Sequence, residues 1–255
     1  MDLYKFKDYT YTTNDLFFDK PCEVMGVTLY PIKVKDYEEY LCYANYLIFS
    51  KKHLGIDKLK DFDLLNVLIM QMAIAKGEDS EITVLIEMCR LFSMMTHKEI
   101  TWHISYENGY EFTDSENTLV INKDNFNRIR QVMLKMTLLK EPKIFEREID
   151  ERWYNKAIQA RQKNNPNLEL GEMILVVSQD MKYTIEQILD MNVFQLHSYY
   201  MRIAHVYESE TTRLFATVSE DVKPSPFAKN VFAELYKDHD EDLDIKGDSF
   251  TKFLE

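Results

Sequence analysis

Apolar residues recur at two different spacings along the chain, and each spacing predicts a different kind of element. Where they lie three and four residues apart, as do Tyr37, Tyr40 and Ala44, one face of a helix becomes apolar. This spacing predicts a series of helices, which covers residues 35–53, 59–76, 80–95, 125–139, 145–162, 168–181, 185–191, 193–218 and 227–237.

Runs of β-branched and aromatic residues predict strands in two regions. The first region lies within the opening 32 residues, where Val24 and Thr28 flank Gly26 and predict a small hairpin. The second spans residues 99–122, where Asn108-Gly109 separates two alternating runs. Because Asn-Gly is a strong signal for a tight hairpin turn, we expect a small antiparallel meander between the helices.

Several predicted helix ends carry local capping signals. Gly77 follows an apolar run, as expected of a residue that closes a helix at its C-terminus. Thr184 with Gln187, and Asn192 with Gln195, have the spacing of a capping box, so we expect a helix to begin after each pair.

Composition narrows the fold class. The 255 residues include only six glycines and six prolines, which disfavours turn-rich β architectures. We predict an α+β, mainly α-helical fold, with an N-terminal β-hairpin and a small mid-chain antiparallel meander packed on a helical bundle. The predicted regions are an N-terminal α+β region at 1–140, a helical C-terminal region at 141–222, and a short helix with an acidic, mobile tail at 223–255.

The charge balance excludes some classes of partner. A formal net charge of −12 repels phosphate and anionic lipid, so we expect no nucleic acid and no membrane as partner. The apolar stretch at 64–75 is interrupted by Asn66 and Gln71, and it is shorter than the roughly 20 residues that cross a bilayer. Charges among the first eight residues do not match a secretory signal.

The three cysteines predict a reducing compartment rather than a disulfide framework. Cys22, Cys42 and Cys89 are odd in number and show no CxxC spacing. Cys42 and Cys89 lie on apolar faces of predicted helices, where a thiol is usually inert core.

The acidic run at 238–244 is the segment closest to a metal motif. Asp238, Asp240 and Asp242 alternate like the first ligands of a calcium-binding loop. The match then fails, because Leu243 stands where the loop needs glycine and Ser249 where it needs a bidentate glutamate. We expect a solvated tail there.

The remaining candidate chemistry is weak. His197 and His205 are two turns apart on one predicted helix, too far for both rings to reach one metal ion unaided. His97 and His103 have no nearby cysteine and no H-E-x-x-H pattern. The chain also lacks a G-x-S-x-G motif and a glycine-rich phosphate loop. We therefore predict no catalytic residue, no metal and no cofactor.

Aromatic residues are the positive feature. They make up 13% of the chain, and aromatic residues are enriched where proteins bind each other. Most should fill the core, but Tyr199, Tyr200 and Tyr207 cannot all face inward on one helix. We predict these three tyrosines and Phe194 as contacts for a protein partner.

Three segments resemble a known family. Residues 20–40 (KPCEVMGVTLYPIKVKDYEEY) resemble the strand, strand and Lys-Asp-Tyr helix start common in tail assembly chaperones of long-tailed phages. Residues 121–130 (INKDNFNRIR) and 185–197 (IEQILDMNVFQLH) resemble blocks of related proteins from phages and prophages of Gram-positive bacteria.

The resemblance implies a non-enzymatic protein in the host cytoplasm, which coats the apolar tape-measure protein and helps to recruit tail-tube subunits. Thirteen methionines and a strongly charged exterior suit such a role. The sequence leaves open a structural tail or baseplate subunit that remains in the virion, an acidic host-interaction factor and an unrecognised enzyme. It also leaves a homo-oligomer open.

Overall fold

A computed structural model describes residues 11–49, 63–77, 80–145, 147–164, 168–227 and 229–237, with side chains 160–164 excepted. Within these residues, helices dominate and five strands form two small antiparallel sheets, which confirms the predicted mainly helical α+β class. The helices are α1 (Thr13–Phe17), α2 (Tyr37–Ile48), α3 (Leu64–Lys76), α4 (Ser80–Thr96), α5 (Phe126–Met136), α6 (Glu148–Asn164), α7 (Leu170–Met181), α8 (Ile185–Leu189), α9 (Val193–Ala216) and α10 (Val231–Tyr236). The strands are β1 (Cys22–Val24), β2 (Val27–Leu29), β3 (Ile100–Ser105), β4 (Gly109–Asp114) and β5 (Val120–Ile121).

The N-terminal hairpin forms as predicted, preceded by a helix that the sequence pattern does not predict. Strands β1 and β2 pair through a turn at Met25 and Gly26, both of which have positive φ, at 48° and 81°. Before them, Thr12 and Asp15 form a capping box that starts α1. Strand-favouring residues around α1 obscure this signal, and aspartate replaces the glutamate or glutamine of the usual box.

The predicted meander is a three-stranded sheet in the order β3-β4-β5. Its register places Trp102 opposite Phe112 and Ile104 opposite Tyr110. Phe112 is fully buried and packs edge-on against Phe92 of α4, with ring centroids 5.1 Å apart. The sheet therefore lies directly on the helical layer.

A large apolar core joins the hairpin, the sheet and helices α1 to α5 with the start of α9. A second, smaller cluster lies among α7, α8 and α9, and its buried members are Val34, Val177, Ile188, Leu196 and Ile203. Backbone hydrogen bonds connect the two regions: the N–H of Val34 donates to Met191 O at 2.9 Å, and that of Val193 donates to Ile32 O at 3.0 Å.

Some predicted helix limits differ from those in the structure. Helix α2 ends at Ile48, and the predicted continuation to residue 53 falls largely outside the described residues. The start predicted at residue 59 also lies outside them, whereas the structure begins α3 after Asp63, whose carboxylate caps the N–H of Asn66. Helix α5 ends at Met136 because Leu138 is left-handed, with φ at 59°.

The segment after residue 223 contains the predicted short helix. Residues 225–227 and 229–237 lie along α9, and α10 occupies Val231–Tyr236 of the predicted 227–237. We call residues 223–227 and 229–237 the strap. The acidic run at 238–244 lies outside the described residues, and the division between 140 and 141 stays a prediction.

Candidate functional site

Helix α9 is the element that organises the candidate site. It begins after Asn192, whose side chain accepts from the N–H of Gln195 at 2.8 Å in a complete capping box, as the sequence predicts. It then runs for 24 residues, about 36 Å at 1.5 Å per residue. A helix of this length is long enough to carry different neighbours on its different faces.

One face of α9 packs on α7. Leu196 and Ile203, two turns apart, are buried in the second apolar cluster with Val177 of α7. Tyr200 also packs on this cluster. Near the end of α7, the hydroxyl of Tyr207 donates to Asp180 Oδ1 at 2.8 Å, and this bond raises the pKa of the tyrosine. Helix α7 ends one residue later, at Met181.

A second face of α9 carries the strap. Ser209 Oγ donates to the carbonyl of Ser225 at 3.1 Å, and the N–H of Ser225 donates to Thr212 Oγ1 at 2.8 Å. Closer to the helix start, Arg202 donates to the carbonyl of Lys229 at 3.1 Å. His205 is 3% exposed, with Nε2 only 2.7 Å from Glu234 Oε2 of α10. Polar contacts therefore hold this face of α9 between Arg202 and Thr212.

A third line of residues on α9 continues the face that packs on α7, but beyond the point where α7 ends. Tyr207 and Leu214 are seven residues apart on α9 and project to the same side, and Val218 lies in the turn directly after the helix. They are 54%, 71% and 80% exposed. Phe215, adjacent to this line, is also exposed. We call these four residues the α9 stripe.

Acidic residues border the α9 stripe. Glu210 lies between Tyr207 and Leu214, and Glu220 and Asp221 follow Val218; all three are exposed. Glu208 is already engaged by the strap, because its carboxylate accepts from Lys229 Nζ at 2.6 Å and Ser225 Oγ at 3.0 Å, and these contacts lower its pKa. The α9 stripe is thus an apolar strip bordered by three exposed acidic residues, with the exposed Arg213 as a basic neighbour of Leu214.

The four predicted contact residues lie in different environments. Phe194 is fully buried in the large core, where its ring packs on Phe232 and Tyr236 of α10, so it offers no surface to a partner in this structure. Tyr199 is partly buried between Phe17 and Tyr183. Tyr200 is partly buried on α7, and only Tyr207 is exposed. A partner-binding role for the tyrosines stays a prediction.

Sequence reasoning missed the remaining members of the stripe as a site. Leu214, Phe215 and Val218 follow the helical period, which by itself marks them as core positions. The seven-residue spacing of Tyr200, Tyr207 and Leu214 was the available signal. Whether these side chains are exposed, however, depends on where α7 ends in space.

The predicted candidate chemistry remains dispersed. Cys22 and Cys89 are buried, which raises the pKa of each thiol to about 12, whereas Cys42 is exposed, contrary to the prediction that it belongs to the core. His97 stacks on Tyr30, and His103 approaches Glu111 at 3.0 Å. Among the described residues, no three His, Cys, Asp or Glu side chains are grouped to hold a metal ion.

None of the helices in the described ranges combines the length and the apolar character that crossing a bilayer requires.

The helices that build the site are similar to a known domain family. Residues 161–232, which include α7, α8 and α9, match the family model described as the YomV second domain. Over nearly its whole length the chain is also similar to the SPbeta prophage-derived uncharacterized protein YomV of Bacillus subtilis strain 168. The two are 27% identical over 238 residues, which cover 91% of this chain and 93% of the relative. This similarity supports a phage origin. No solved structure matches the chain.

Proposed function

We propose that the chain is a non-enzymatic tail assembly chaperone, which binds apolar helical segments of other phage tail proteins in the host cytoplasm. The observation that carries this proposal is the α9 stripe. The apolar face of α9 that packs on α7 continues beyond the end of α7. The exposed part of this face offers a partner helix the same kind of packing surface that α7 uses.

The chemistry of the stripe favours an amphipathic helix as the bound element. Residues seven apart on α9 match the repeat with which two helices pack side by side. The acidic rim at Glu210, Glu220 and Asp221 favours a helix with lysine or arginine beside its apolar face. Tape-measure and tail-tube proteins are the partners that the family resemblance suggests, and the similarity to a prophage-derived protein is consistent with a phage partner.

Co-expression tests the proposal. The full chain is produced together with a helical fragment of the tape-measure protein of the same phage, and the soluble fraction of the fragment is measured. We expect the fragment to be several-fold more soluble with this chain than without it. If the fragment's solubility is the same with and without this chain, the proposed chaperone role is wrong.

A matched pair of variants tests the site itself. The double variant Leu214→Gln with Phe215→Gln removes two exposed apolar side chains from the α9 stripe. The fold should remain, and the increase in the fragment's solubility should become smaller. Ile74→Gln on α3 removes an equally exposed side chain, 70% against 71% for Leu214, from a different surface. We expect this control to retain the full effect. Equal loss in both would show that the stripe has no special role.

A structural tail or baseplate subunit is the alternative that shares the same surface, because a subunit of the particle also binds tail proteins. Mass spectrometry of purified virions separates the two roles. A chaperone should be missing from mature particles, whereas a subunit should be present in fixed stoichiometry.

A further inference from the structure

Strand β3 forms an open edge of the three-stranded sheet. The sheet order is β3-β4-β5, so one side of β3 faces β4 and, within the described residues, no strand pairs with its other side. The backbone N–H of Ile100 donates to Ser93 Oγ of α4 at 3.1 Å, so it points away from β4. Because the direction of the backbone groups alternates along a strand, those of Trp102 and Ile104 point the same way.

The opposite strand gives an independent check of this direction. Tyr110 lies directly across from Ile104, and its N–H donates to Asn66 Oδ1 at 3.1 Å instead of to β3. Ile104 and Tyr110 therefore form a pair without mutual hydrogen bonds. It follows that Trp102 and Ile104 present two N–H groups and two carbonyls along the open edge.

The edge lacks the usual protection against pairing. Open edges are commonly blocked by lysine, proline or a bulge, and β3, with the sequence ITWHIS, contains none of these. Ile104 is 66% exposed. An unprotected edge of this kind is a template for another strand.

Helix α4 provides an apolar wall beside this edge. A groove of about 400 Å³ lies between the two elements, and its lining includes Ile86, Cys89 and Ser93 of α4 and Ile100 and Trp102 of β3. Ile82 and Ile86 continue the apolar wall along α4 and are 60% and 45% exposed. The groove thus combines, on one side, backbone groups that no other described strand pairs with and, on the other, apolar side chains of α4.

We infer that this groove binds an extended segment of a partner protein, which adds to β3 as a fourth strand. Apolar side chains at every second position would pack towards Ile86 and Cys89. The intervening positions would lie beside Thr101 and His103 on the exposed sheet face and would be polar. The site is separate from the α9 stripe and takes a different backbone conformation, so it goes beyond the proposed function.

Two other occupants fit less well. A helix satisfies its own backbone groups and cannot pair with those of Trp102 and Ile104. A second copy of the chain would bring its own α4 together with its β3. In that copy the hydrogen bond from Ile100 to Ser93 holds α4 beside the β3 edge that would have to pair. A single extended segment brings no such helix.

Amide exchange in the full chain tests the inference with a defined probe. The probe is a capped peptide of alternating valine and threonine, and its control is the same peptide with every valine and threonine nitrogen methylated. We expect saturating probe to slow exchange at the Trp102 and Ile104 amides at least tenfold, with little change at Thr101 and His103. The methylated peptide should have no effect. Unchanged exchange with millimolar probe would overturn the inference.

A matched pair of variants tests the same edge from the protein side. Ile104→Pro removes the outward N–H and leaves the bonds to β4 intact, whereas Ile104→Ala shortens the side chain and keeps the N–H. We expect the proline variant to bind the probe at least tenfold more weakly than the alanine variant. Equal affinity would contradict strand addition. If the proline variant fails to fold, the comparison of the two peptides still decides.

The occupant is tested by varying protein concentration without the probe. Exchange at Trp102 and Ile104 should be independent of concentration, and the edge should not drive dimer formation in sedimentation velocity. Protection that grows together with a dimer would identify a second copy as the occupant and overturn the inference as stated.

Discussion

Arg130 shows how a buried charge can close the end of a neighbouring helix. Its side chain is 1% exposed on α5, and Nη1 donates to the carbonyl of Leu47 at 2.6 Å. That carbonyl belongs to the last turn of α2, where helical partners run out. The guanidinium also donates to Asn127 and Glu141, so a single residue connects α2, α5 and the segment that follows α5.

Replacing Arg130 by methionine keeps much of the volume and removes every donor. We expect the free energy of unfolding to fall by about 2–3 kcal/mol, because buried acceptors lose their partner. Urea denaturation measures the change. Arg152→Met is the matched control: Arg152 is 72% exposed in a surface pair with Glu148, and its loss should cost less than about 0.5 kcal/mol. Equal losses in the two variants would contradict this assignment.

Asp114 makes stability depend on pH. Its carboxylate accepts from Lys98 Nζ and Thr118 Oγ1, each at 2.6 Å, and from the N–H of Leu119 at 3.0 Å. The ion pair with Lys98 and these hydrogen bonds hold the pKa of Asp114 well below its usual range. Because the folded-state pKa is the lower one, the stabilisation is complete above the unfolded value of about 3.9 and is lost as pH falls towards the folded value.

Asp114→Asn should therefore lower the urea midpoint most at neutral pH. The difference between this variant and the unmodified chain should narrow as the pH is lowered from 7 to 3. Asp124→Asn, at an exposed position, is the control and should shift the midpoint little at either pH. A difference of the same size at both pH values would contradict the role given to the ionised carboxylate.

At the scale of elements, Asn192 both caps the start of α9 and connects α9 to α1. The side chain of Asn192 is almost fully buried, and its Nδ2 donates to Leu16 O and Asp19 Oδ1, both at 2.9 Å. Asn192→Ala removes the cap and also leaves the carbonyl of Leu16 without this donor. We expect a loss of about 2–3 kcal/mol in the free energy of unfolding.

Thr184→Ala is the matched control for this variant. Thr184 caps α8 through a bond from the N–H of Gln187 at 3.3 Å and is exposed, so only the cap is lost, at a cost of about 1 kcal/mol. Urea denaturation of both variants gives the comparison. If Asn192→Ala lowered the free energy of unfolding no more than Thr184→Ala does, the hydrogen bond from Asn192 to α1 would contribute nothing to stability.

Helix starts and the meander could be predicted because their signals are local. Asn192 and Gln195 are three residues apart. The hairpin signal at Asn108-Gly109 is also local, although the turn itself covers residues 106–108 and Gly109 is the first residue of β4. The hydrogen bond from Asn192 to Leu16 joins residues that are 176 positions apart, and no local sequence pattern encodes it. The same limit applies to the site, because Ile203 and Leu214 lie on the same face of α9 by the helical period yet are 6% and 71% exposed.

At the scale of the whole molecule, two apolar clusters are joined by hydrogen bonds and by the strap. The backbone bonds between Val34 and Met191 and between Val193 and Ile32 join the two clusters, and the strap adds a further connection through α10. We expect a single cooperative unfolding transition. In a Trp153→Phe background, Trp102 fluorescence and far-UV circular dichroism should give the same midpoint.

Damage to the small cluster should destabilise the whole chain. Ile188 is fully buried, and Ile188→Ala should lower both midpoints equally, by the equivalent of about 3 kcal/mol. Ile185→Ala, on the same short helix but 48% exposed, should change them little. Separate transitions, with Trp102 unaffected by Ile188→Ala, would show two independent units.

The burial of Phe194 has a consequence for folding during synthesis. The large core is built mainly from the first 136 residues, yet it also contains Val193 and Phe194, and Phe232 and Tyr236 pack against it. During synthesis these side chains leave the ribosome almost 60 to 100 residues after the end of α5. We therefore expect the large core to close only after Phe232 and Tyr236 have emerged, because native contacts between residues far apart in sequence form late.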